Sequence, residues 1–139
     1  MTSFVLDASV ALRWFLDDPV PVYAKRTRRL LLAGARAIVP ALWHLEMANG
    51  FAVAERRGIL TGTDVDQCLA AIEALLWESI ESESAPVSLG QALATARSSH
   101  LSAYDGVYLG MAQLRNLPLA TLDEALRAAA RKAGVPLVR

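Results

Sequence analysis

The chain has 139 residues, 54% of them hydrophobic, with 14 basic and 14 acidic side chains and a formal net charge of zero. That content excludes general disorder, the length suits one domain over residues 1–139 with a core that needs no staple, and the balanced charge speaks against a uniformly basic nucleic-acid binder. Cys68 is the only cysteine, which excludes an internal disulfide and a thiol-built zinc site and suits a reducing compartment. No apolar run approaches the about 18 residues of a bilayer span. The opening Met1-Thr2-Ser3-Phe4-Val5-Leu6-Asp7 lacks the basic start of a signal peptide. A cytoplasmic, membrane-free location is the expectation.

In chain order, residues 4–6 form a short buried strand, with Asp7 at its carboxyl end and a helix over 8–16 directly after. Pro19 and Pro21 end that helix. A second helix covers 22–32, a strand 37–40, and a long third helix 41–57, stopped by Gly58. Residues 63–77 are amphipathic, with Val65, Leu69, Ile72, Leu75 and Leu76 on one face. A weak strand near 79–84 precedes helices over 88–98 and 102–114. A strand at 119–121, a helix over 123–133 and a strand at 135–138 close the chain. Short apolar strands alternating with helices imply an α/β fold, with a central parallel sheet of about five strands flanked by helices. Ligands of such sheets gather beyond the carboxyl ends of the strands, where Asp7 and Asp123 fall.

Three acids stand alone in long apolar stretches: Asp7 within 1–12, Glu46 within 41–54 and Asp105 within 101–114. A carboxylate in a mostly buried element is costly unless solvent, a basic partner, a backbone N–H or a metal compensates it. Helix capping accounts for any one of the aspartates by itself: Asp7 and Asp123 follow strands, and Ser102-Ala103-Tyr104-Asp105 and Thr121-Leu122-Asp123-Glu124 both fit a capping box. Glu46 lies inside its helix with Asn49 three residues on, and an exposed helix edge is its plain alternative. Four carboxylates meeting at one rim would repel by on the order of 4 kcal/mol per close pair. Divalent cations relieve that repulsion, and hard oxygen donors select Mg²⁺ or Mn²⁺ over zinc.

Carboxylate-bound ions of that kind support in-line phosphodiester hydrolysis, leaving a 5′-phosphate and a 3′-hydroxyl. Ser9, Asn49 and Thr121 lie beside the acids as accessory residues, with capping and turn roles as alternatives. Metal-free cleavage needs a histidine pair, and the chain has only His44 and His100, with no sign that they meet. No GxxxxGKS, GxSxG, HExxH or GxGxxG motif is present, which removes NTPases, serine hydrolases, zincins and dinucleotide enzymes. Phosphate contacts would come from Lys25, Arg26, Arg28 and Arg29 on the second helix, from Arg13, Arg56 and Arg57, and from Arg127, Arg131 and Lys132. Such runs are also ordinary solvated helix faces.

Four segments in this order resemble PIN-domain proteins, most of all the VapC-type toxin ribonucleases of VapBC toxin–antitoxin pairs. They are Val5-Leu6-Asp7-Ala8-Ser9, Glu46-Met47-Ala48-Asn49, Ala103-Tyr104-Asp105-Gly106-Val107-Tyr108-Leu109 and Leu119-Ala120-Thr121-Leu122-Asp123. The likeness spans essentially the whole chain, through the closing Gly134-Val135-Pro136-Leu137-Val138. It implies a single PIN-like nuclease domain over 1–139 and an endoribonuclease dependent on Mg²⁺ or Mn²⁺. Asp7, Glu46, Asp105 and Asp123 would then surround the metal, with Ser9, Asn49 and Thr121 nearby. It also implies a homodimer and a cognate antitoxin, for which Trp14, Phe15, Trp43 and Phe51 are candidate surface contacts beside their core role. Gly106, where many relatives carry a larger residue, departs from the pattern. A receiver-like Mg²⁺-binding signalling domain would need an acid pair after the first strand and a lysine after the last, which this chain lacks. A catalytically silent PIN-like module remains the other alternative.

Overall fold

The computed structural model describes residues 2–139. Its elements are β1 (Ser3–Leu6), α1 (Ala8–Leu16), α2 (Val22–Leu32), β2 (Arg36–Val39), α3 (Ala41–Arg56) and α4 (Gly62–Glu78). They continue with β3 (Ile80–Ser82), α5 (Leu89–Ser99), α6 (Ala103–Arg115), β4 (Leu119–Ala120) and α7 (Glu124–Lys132). The four strands are parallel in the order β3-β2-β1-β4. The chain therefore steps outward from β1 through β2 to β3, then returns to the other side of β1 for β4. Connections leave β1 and β4 in opposite directions, and that divergence opens a crevice at their carboxyl ends. Asp7 stands in it, its backbone N–H bonded to the Ala120 carbonyl at 3.0 Å.

Phe4, Val5 and Leu6 of β1 are fully buried, as a strand covered on both faces requires. On one side α3 presents Trp43, Met47, Phe51 and Ala54, a buried stripe at helical spacing. Gly50 lets α1 approach α3: a Cβ there would meet Leu12 Cδ2 at 2.5 Å. Phe15 of α1 packs edge-on against Phe51 with ring centroids 5.8 Å apart. The Trp14 indole donates to the Ala24 carbonyl at 2.8 Å, fixing α1 on α2. Trp14, Trp43 and Phe51 are thus core residues and not surface contacts for a partner, and Phe15 is half-buried against them.

The sheet has four strands where the sequence suggests about five. Residues 135–138 reach β4 only through the isolated bridge Leu119–Leu137, with Leu119 N donating to Pro136 O and Val138 N to Leu119 O, each at 2.9 Å. β4 is two residues long and Pro136 has no N–H to extend the ladder. α4 begins with a capping box between Thr61 and Asp64 that the hydrophobic pattern does not reveal. Only Ile72 of its apolar face is fully buried, while Leu69 and Trp77 are exposed. Gly106 faces α5, where a Cβ would sit 3.5 Å from Thr95 Cγ2 and 3.6 Å from Ala96 N. An alanine Cβ would sit there in ordinary van der Waals contact. Among the described residues, no helix is long and apolar enough to cross a membrane.

Candidate functional site

Asp7 follows β1 at the N-cap position of α1, yet its side chain makes no capping bond. Its carboxylate is 4% exposed and accepts two hydroxyls on the same oxygen: Ser9 Oγ and Thr121 Oγ1 each donate to Oδ2 at 2.7 Å. Both hydroxyls are then reused as acceptors, Ser9 Oγ from Leu122 N and Thr121 Oγ1 from Asp123 N, each at 3.0 Å. The turn between β4 and α7 is thereby locked onto Asp7. Thr121 is fully buried and does not cap α7. The cap is Asp123, whose Oδ1 accepts from Leu126 N at 2.8 Å, so the box expected at Thr121-Leu122-Asp123-Glu124 does not form and a single cap bond stands two residues later.

Glu46 and Asp105 come from helices. Glu46 lies beside the buried stripe of α3, half-buried, and its Oε1 accepts the Tyr108 hydroxyl at 2.6 Å. Asp105 occupies the third position of α6, where Ser102 caps its backbone N–H at 3.1 Å, the serine half of the box the sequence suggests. Tyr108 is one turn further along α6 from Asp105, on the same side. That spacing was the signal for a residue which sequence reasoning about acids alone passes over. Asn49 is exposed and takes no part in these bonds.

Electrostatics tie the four acids together. Burial is the main cause that raises the Asp7 carboxyl above its ordinary range; hydrogen bonds from Thr121 and Ser9 oppose it, and the nearby charge of Asp123 adds to it. Glu46 is also raised, first by burial, with Tyr108 opposing and Asp7 and Asp105 adding repulsion. Asp105 is raised by burial, then by Asp123 and Asp7. No basic side chain lowers any of the three. The Tyr108 phenol is pushed far up, by burial and then by its bond to Glu46, so it donates as a neutral hydroxyl.

The donor set fits a hard divalent cation in chemistry: all donors are carboxylate oxygens. Asp7, Glu46 and Asp123 each tie one oxygen to the protein and leave the other outside those bonds. Among the described residues, however, no group of three or more acid, histidine or cysteine side chains is set as a ready cage for an ion. The residues fit by type and mutual field, with the cage not closed as the side chains stand.

The chain is thus a parallel α/β fold that gathers mutually repelling carboxylates at the switch point of its sheet. The PIN domain family model matches residues 4–132, and the chain belongs to that family. PIN domains are in general metal-dependent nucleases. The fold is also similar to the crystal structure of PAE2754 from Pyrobaculum aerophilum, with a TM-score of 0.69, 20% identity, and coverage of 92% of this chain and 84% of that one. Among curated proteins, no sequence matches this one.

Proposed function

We propose that this protein is an endoribonuclease dependent on Mg²⁺ or Mn²⁺, acting as the toxin of a type II toxin–antitoxin pair of the VapC type. In this reading Asp7, Glu46, Asp105 and Asp123 hold the metal, with Ser9 and Thr121 orienting Asp7 and with Tyr108 orienting Glu46. The carrying observation is that Asp7, Glu46 and Asp105 are driven up first by burial and then by the charge of neighbouring acids, Asp123 among them, with no basic side chain in compensation. A divalent ion supplies that compensation, and when bound it polarises a phosphoryl oxygen and lowers the pKa of water. The protein's own part is to hold Asp7 Oδ2 between two hydroxyls, so that its remaining oxygen is presented in one orientation. Asn49 is retained as an accessory residue only as a solvent-side contact to substrate, given its exposure.

The toxin role, with a homodimer and a cognate antitoxin, is supported by the VapC-like order of the four motifs. The test is cleavage of a defined RNA by the purified protein with Mg²⁺ or Mn²⁺ and with chelator. Cleavage is expected only with metal, giving 5′-phosphate ends, and Asp7→Asn is expected to abolish it while leaving the fold intact. Metal-independent products ending in 2′,3′-cyclic phosphate would overturn the mechanism. Co-purification with the product of a short adjacent gene tests the toxin assignment.

A further inference from the structure

Of the many basic side chains on α2 and α7, three converge on one cavity. Arg26 of α2 and Arg127 and Arg131 of α7 line a space of about 520 Å³, together with Tyr23 and residues 135–139. Arg139 is a fourth arginine of the lining, and among the described residues no acidic side chain belongs to it. The ion pairs of the described residues, Arg13 with Asp17 and Arg115 with Glu83, involve none of these arginines. Arg127 is already committed: it donates to the Thr121 carbonyl at 2.7 Å, and its guanidinium lies over the Tyr23 ring, 5.0 Å from the centroid. The side chains of Arg26 and Arg131 are exposed, and among the described residues neither donates a hydrogen bond. Guanidiniums facing one space repel, and an oxyanion between them reverses the sign of the interaction with paired, charge-assisted hydrogen bonds. Thr121 joins this cavity to the acids, because its carbonyl holds Arg127 while its hydroxyl holds Asp7.

We propose that this cavity binds a phosphodiester of single-stranded RNA next to the one addressed by the acids. Arg26 and Arg131 are its ligands, and Arg127 is the fixed floor that sets the cavity against the Thr121 turn. The identity of the anion rests on the ribonuclease reading. The cavity itself rests on the arginine geometry.

The experiment titrates a labelled single-stranded RNA in chelator, where no cleavage occurs, over a series of salt concentrations. Arg26→Gln and Arg131→Gln are each expected to weaken binding and to lower the salt slope by about 0.7, with the double variant lowering it by about 1.4. Arg97→Gln is the control: it removes the same charge from an exposed position on α5 outside the cavity, and its slope is expected to match wild type. Equal losses in all variants, or none in Arg26→Gln and Arg131→Gln, would overturn the site. Arg131→Lys separates a bidentate contact from bulk charge, since lysine keeps the charge and loses the fork; it is expected to recover less than half of the lost affinity. Melting temperatures confirm that each variant is folded. Metal-dependent cleavage is scored separately. If wild type cuts RNA and the arginine variants bind as it does, the cavity falls alone; if wild type does not cut but the variants lose binding, the nuclease reading falls and the cavity stands.

Discussion

Replacing Thr121 by valine keeps the shape of a fully buried side chain and removes one hydroxyl. That hydroxyl donates to Asp7 Oδ2 at 2.7 Å and accepts from Asp123 N at 3.0 Å. Losing a hydrogen bond to a charged acceptor costs about 1.5–3 kcal/mol, and an orphaned partly buried N–H about 1–3 kcal/mol. Together they destabilise Thr121→Val by about 3–5 kcal/mol, on the order of 10 °C in Tm for a chain of this length. Thr121→Ser keeps both bonds and loses one buried methyl, a change of about 1 kcal/mol. The assay is thermal and urea unfolding in chelator. The less shape-conserving serine is expected to be the more stable variant at neutral pH. The gap narrows as pH falls, because Asp7 protonates in both variants and leaves only the Asp123 N–H term. Valine matching or exceeding serine at pH 7 would refute the view that this hydroxyl holds the two acids in place.

Asp7→Asn is expected to raise the metal-free melting temperature at neutral pH. The folded Asp7 carboxyl is raised above its unfolded value, mainly by burial, so the native state holds the proton longer. Stability from this group is present at low pH and is lost as pH rises from the unfolded through the folded pKa. The asparagine variant, neutral throughout, should show a flatter stability profile in that window; an unchanged profile would contradict the burial of a charged Asp7. Tyr108→Phe leaves Glu46 Oε1 without its donor and is expected to cost about 1 kcal/mol, with the acidic limb of the cleavage profile moved to higher pH. An unmoved limb would detach Glu46 from the reaction. Mn²⁺ at about a hundred times its Kd is expected to stabilise wild type by about 2.7 kcal/mol and Asp105→Asn by clearly less. Equal shifts in calorimetry would remove Asp105 from the metal site.

The element pattern was readable because period and punctuation are local properties. The short apolar runs at Phe4–Val5–Leu6 and Ala37–Ile38–Val39 became β1 and β2, and the helix over residues 8–16 keeps its bounds. The closing strand failed for a pairing reason: Val135 and Val138 are buried as strand residues would be, but a two-residue neighbour and Pro136 left only one bridge. Pairing depends on what lies opposite, which no window of sequence contains.

The isolation of Asp7, Glu46 and Asp105 among apolar residues was likewise legible from the chain itself, since an unbalanced charge in a buried segment is anomalous wherever the segment ends up. Which explanation applied to each acid was decided only in three dimensions. Asp123 caps a helix, whereas Asp7 sits at a cap position and caps nothing, because Thr121 arrives from 114 residues away to claim its oxygen. Tyr108 is bound to Glu46 across 62 residues, and Arg26 shares a cavity with Arg131 only because the fold brings α2 and α7 to one space. Residue chemistry and local periodicity are written in order along the chain; the fields and hydrogen bonds that give an acid or an arginine its role come from partners that folding alone brings within a few ångströms.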